Sequence, residues 1–216
     1  MNTYRARDTA LEDFVTGRVA TLQARYLRDE PQALAAMARL RRGVGATPGT
    51  RPDIWELTLA DMPDTLVDRR YYTRAERDGA PTAWEVAAHD AITLHAWHQQ
   101  SRREPMHLRG RRFGTAVWTL GERTSSAEAV RRRFHALGTA SHHDARLAYL
   151  RALISQFRSN SIPVDYGKLA RDLRRLDDST YSAAVLLEWG RDYHQKPSAP
   201  TDSDGSQQPT SKGEDQ

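Results

Sequence analysis

Apolar residues recur at three- and four-residue spacing along most of this chain, and that spacing suits little other than packed α-helices. Leu11, Phe14, Val15, Val19, Leu22 and Tyr26 draw one stripe over several turns. Pro31 suits the first turn of a second helix, where its missing N–H costs nothing. Leu34, Met37, Ala38 and Arg41 follow, and Gly43 is expected to end that helix as a left-handed cap. GVGATPGTRP, residues 43–52, is a loop of turn formers, with a short helix expected over Ile54–Leu59. Thr82 with Glu85 forms a T-x-x-E box opening a helix over 83–100, with a stripe of Trp84, Ala87, Ala88, Ala91, Leu94, His95 and His98. Ser125 with Glu128 suggests a second box, and Ser141 the start of a further helix carrying Leu147, Leu150, Ile154 and Phe157. Pro163 and Asp165 introduce another helix; Asp178 or Ser179 begins the last, with Leu186, Trp189 and Tyr193 facing in. No convincing alternating strand interrupts these patterns, so the fold class expected is all-α, a helical bundle. The expected parts are a helical region over 1–60, a polar surface loop over 61–81, a helical region over 82–196 and a disordered polar tail over 197–216.

Several function classes drop out. The chain has no cysteine, which removes disulfides, thiolate metal sites and cysteine nucleophiles. No run approaches the ~20 apolar residues of a membrane span, and the first residues lack a signal-peptide core; a cytoplasmic protein without membrane partners is expected. The glycine-rich loop lacks the lysine and hydroxyl residue of a Walker loop. There is no GxSxG elbow and no HExxH helix.

The stretch HAWHQQSRREPMHLRGRRFG, residues 95–114, crowds histidines and arginines together. His95, His98 and His107 raise the possibility of a metal-dependent nuclease. Glu104 is the sole acid between His95 and Gly121, so hard ligands are scarce and the local field repels cations. His98 also continues an apolar stripe, which favours a hydrogen-bonded internal histidine. His142, His143 and Asp144 are adjacent on one helix and point apart, so they cannot relay a proton. Neither a metal nor another cofactor is called for.

The arginines form a more consistent pattern. Of 32 basic residues, 29 are arginine, and without the last twenty residues 31 bases and 24 acids leave a net charge of +7. Guanidinium forks match phosphate oxygens better than ammonium groups do. Arg41 and Arg42 close a helix. Arg102, Arg103, Arg109, Arg111 and Arg112 cluster after His98, and Arg131, Arg132 and Arg133 crowd a helix start, where positive charge opposes the dipole. Arg151 and Arg158 share a helix edge, and Arg191 lies in WGRDY. These observations describe a basic helical binder whose arginines, Arg102, Arg103 and Arg111 included, meet nucleic acid or protein.

Leu40-Arg41-Arg42-Gly43 followed by Pro48-Gly49 and Trp55, His98-Gln99-Gln100-Ser101 followed by Met106-His107, Arg132-Arg133-Phe134, Leu150-Arg151-Ala152-Leu153, Val164-Asp165-Tyr166 and Trp189-Gly190-Arg191-Asp192 occur in a telling order. Over roughly residues 10–196 the chain resembles the small subunit of Cascade, the type I-E CRISPR surveillance complex (the CasB family). The resemblance implies a non-enzymatic subunit of two small helical lobes. Two copies would sit head to tail in a crRNA-guided complex, touching its backbone subunits and its large subunit. Basic surfaces would hold target DNA and the displaced non-target strand of the R-loop, while guide pairing supplies sequence specificity. By matching position, Arg42, Arg132, Arg151 and Arg191 fall where the family contacts nucleic acid, with Arg41 and Arg133 as neighbours. The scattered guanidinium groups would then form a continuous track. A purely structural spacer is the remaining alternative.

Overall fold

A computed structural model describes residues 3–194, and the polar tail expected over 197–216 lies outside them. The described residues form ten α-helices and no strand: α1 (Thr3–Leu27), α2 (Pro31–Arg42), α3 (Pro52–Thr58), α4 (Arg74–Arg77), α5 (Ala83–Gln99), α6 (Phe113–Arg123), α7 (Ala127–Thr139), α8 (His143–Ser159), α9 (Tyr166–Leu176) and α10 (Ser182–His194). The fold class is all-α.

The element at the centre is α5. It is buried nearly all round, and Ala87, Ala88, Ala91 and Ala96 let α1, α2, α8 and α9 approach it closely. The capping box that opens it is present: Glu85 N–H donates to Thr82 Oγ1 at 3.2 Å, and Thr82 N–H donates to the Glu85 carboxylate at 2.7 Å. Along α9 runs α1, held there by Gly167, where a methyl group would overlap Thr16 and the Glu12 carbonyl. A second group, α6, α7 and α10, joins through stacked rings: Phe113 and Trp189 have centroids 4.6 Å apart, Phe134 and Tyr193 5.3 Å apart. Between the groups, α8 packs on both α5 and α7. Buried residues of all these helices form one continuous cluster.

Several local expectations need correction. Gly43 is right-handed, with φ −86°; its missing side chain matters because a Cβ there would collide with Ile54 and crowd Thr93. The caps of α7 and α8 are Ser126 and His142, neither with a capping side-chain bond, in place of Ser125 and Ser141. The last helix starts at Ser182, after a turn in which the Asp178 carboxylate accepts from Thr180 N–H. Residues 61–81 are more than a surface loop: Leu66 and Met62 are buried, and Thr73 with Glu76 forms a full capping box on the one-turn α4.

Candidate nucleic-acid interface

The histidines of the 95–114 stretch point inward. His95 donates from Nε2 to Gln23 Oε1 at 3.2 Å, and the same oxygen accepts His107 N–H at 2.7 Å. Gln23 Nε2 returns a bond to the His107 carbonyl at 3.1 Å. His98 Nδ1 is 3.0 Å from the Tyr166 hydroxyl, and His107 Nδ1 accepts Tyr166 N–H at 3.1 Å. Burial holds all three imidazoles below their ordinary pKa, His98 at about 3, so they are neutral. The glutamine shapes the loop: Gln99 donates to the carbonyls of Arg102 and Glu104 and accepts from Met106 N–H. This is a polar pin joining α1, α5 and α9. Among the described residues, no group of three or more histidines and carboxylates is arranged to hold a metal ion.

The arginines divide sharply. One set is consumed inside the fold. Arg174, 3% exposed, lies between the rings of Tyr4, Trp84 and Tyr181 at 5.4, 4.4 and 5.3 Å, and 3.4 Å from Asp8. Arg175 reaches Asp8 at 2.7 Å. Arg7 lies over Trp84 and donates to the Leu66 carbonyl, and burial lowers its pKa. Arg146 pairs with Asp177, and Arg171 with Glu12.

The other set faces outward. Arg42, Arg111, Arg131, Arg132, Arg133, Arg151 and Arg191 are exposed, Arg41 is half-buried, and none has an ion pair among the described residues. Arg41 and Arg42 end α2; the loop after them crosses to α8, where Gly45 lies against Leu147, one turn before Arg151. Arg151 and Arg158 share a helix edge as their spacing predicts, each 5.3 Å from the ring centre of Trp97. Arg132 and Arg133 stand on α7 and Arg191 on α10, so the four family-matched positions occupy four different helices. Two other expected residues already have partners: Arg103 clasps both oxygens of Asp29 at 2.7 and 2.5 Å, and Arg102 donates to Ser161 and sits 3.9 Å from Glu104.

The family model for the CRISPR-associated protein Cse2 matches residues 36–194. The chain belongs to the Cse2 family. The crystal structure of CasB from Thermobifida fusca is similar at 35% identity with a TM-score of 0.73, covering 86% of this chain and 98% of that one. No curated protein matches the chain. Cse2 membership makes it a Cascade subunit of CRISPR defence, as the ordered motifs implied. Among the described residues, no helix is long and apolar enough to cross a membrane. Three features of this Cse2 surface lie outside the motifs named from the sequence: Trp97 as a ring beneath two guanidinium groups, the helix α6, and Arg123 at its end. The spacing Phe113, Ala116, Val117, Leu120 was the available signal for α6.

Proposed function

We propose that this chain is a non-catalytic, nucleic-acid-binding subunit of a crRNA-guided complex, steadying target DNA and the displaced strand of the R-loop. The observation that carries this reading is the set of exposed arginines without an ion pair among the described residues, in a protein that pairs or buries many of its others. Free guanidinium groups on several helices suit phosphate contacts, which position a strand and read no bases. Against catalysis stands the state of His95, His98 and His107: buried, neutral, and bonded to Gln23 and Tyr166. Partners would be the guide-bearing backbone, the large subunit and a second copy of this chain, in the cytoplasm.

The test is R-loop formation by the assembled complex, followed by filter binding at several salt concentrations. Arg42→Ala and Arg132→Ala should each weaken it on every target alike, without changing target preference. Unchanged affinity in both variants, with normal assembly, would leave the structural spacer as the better account. Chelator-sensitive cleavage lost in His98→Ala would instead restore the nuclease.

A further inference from the structure

Beside α6 lies a cavity of about 350 Å³ whose lining, among the described residues, carries three guanidinium groups and no carboxylate. Arg111 and Arg112 stand at the end where α6 begins and Arg123 at the end where it stops, with Pro163 across from them. Thr115 and Arg123 lie eight residues apart on one face, so the trough is about 12 Å long at the helical rise. That length spans about three phosphates at the ~3.4 Å axial spacing of one stacked strand.

The charges are held in place from behind. Arg112 reaches Asp192 at 3.0 Å and Glu188 at 3.7 Å, while its neighbour Arg111 has no ion pair among the described residues. Arg123 donates to the Asn160 carbonyl at 2.7 Å, which uses part of its fork and fixes the rest. The nearby Asp165 carboxylate is occupied by the N–H groups of Gly110 and Lys168. Fixed forks at both ends of an open trough suit a chain of spaced anions.

We propose that this trough holds the sugar–phosphate backbone of one nucleic-acid strand, with Arg111 and Arg123 on separate phosphates at its two ends and Arg112, paired with Asp192, shaping the rim beside Arg111. The proposal rests on the nucleic-acid-binding reading above and adds a site to it: Thr115 and Arg123 belong to none of the arginine clusters named there.

The test uses the full chain and a fluorescein-labelled oligothymidylate, read by fluorescence anisotropy over a salt series. Arg111→Ala and Arg123→Ala should each weaken binding about fivefold at 0.1 M salt, and the double variant should lower the log–log salt slope by about 1.4, at ~0.7 per phosphate. Arg123→Lys should keep the wild-type slope. Arg111 has no side-chain bond among the described residues, so Arg111→Ala keeps the test decisive even if Arg123→Ala unfolds. A double variant with wild-type affinity and slope overturns the trough; if Arg132→Ala is weakened in the same assay, the broader reading survives that result. Absence of oligothymidylate binding by the wild type, or full binding by every variant, overturns both. Tighter binding of a polyglutamate peptide of equal charge also overturns the trough, in favour of an acidic protein segment.

Discussion

The arginines around Asp8 and those along α7 and α8 are the same residue type doing opposite work. Arg174 is sandwiched between aromatic rings, bonded to Asp178 at 3.2 Å and set beside Asp8. Its charge is neutralised and its stem fills core space between α1, α5 and α9. Among the described residues Arg132 and Arg133 meet nothing comparable, and Arg151 has the edge of α8 and the Trp97 ring. A guanidinium inside the fold contributes to folding and is lost to any partner. A guanidinium outside contributes almost nothing to folding and is available to one. Net charge therefore says little about a surface until each cation has been assigned to one side or the other.

The largest expected break in this comparison is Arg174→Ala. It leaves Asp8 with Arg175 alone and opens a cavity among the rings of Tyr4, Trp84 and Tyr181, and should cost about 2–5 kcal/mol, measured by urea unfolding. A loss below ~1 kcal/mol would move Arg174 out of the structural class. Next comes Gly167→Ala, which forces a methyl group against Thr16 and the Glu12 carbonyl where α1 meets α9. It should cost about 1–3 kcal/mol and leave strand binding by the folded fraction intact.

Acidity separates the regions further. His95, His98 and His107 are held below their ordinary pKa by burial. Their contribution is complete above the unfolded value of ~6.5 and falls as pH drops below it, by about 1.4 kcal/mol per unit for each group that stays neutral. His143 runs the other way. Its carboxylate partners, Asp177 first and then Asp90, raise it to about 10, so its contribution is present below ~6.5 and is lost as pH rises toward 10. Thermal unfolding should show a lower melting temperature at pH 5 than at pH 7. His143→Gln should be more destabilising at pH 6 than at pH 10.5; an equal loss at both would mean that the pair with Asp177 carries no charge. The smallest effect should belong to the surface: Arg132→Ala and Arg151→Ala should each change stability by under ~0.5 kcal/mol. A larger loss would show that these residues also serve the fold.

Much of the architecture was legible because helical periodicity is local. The stripes of α1, α5 and α8 name their buried residues directly, and the Thr82–Glu85 box marks a true helix start. The Thr73–Glu76 box had the same signal and lay inside a stretch whose polarity concealed it. Other features depend on distant neighbours. Nothing near Gly43 announces that Ile54 and Thr93 press on it, and nothing near Arg174 announces Asp8, which precedes it by well over a hundred residues. The candidate surface was legible as clusters of arginine, and Arg151 and Arg158 share an edge as their spacing requires. That Arg103 would be taken by Asp29, or that Arg123 would close a trough with Arg111, follows from tertiary packing, which no local pattern carries.

The most direct test of the central claim is the salt dependence of single-strand affinity in the wild type and in a variant with Arg42, Arg132, Arg151 and Arg191 all changed to Ala. Each phosphate contact contributes ~0.7 to the log–log slope. The variant should keep its melting temperature, bind more weakly and show a slope shallower than that of the wild type by about 2.8, at ~0.7 for each of the four contacts removed. A folded variant with the wild-type slope would contradict the account.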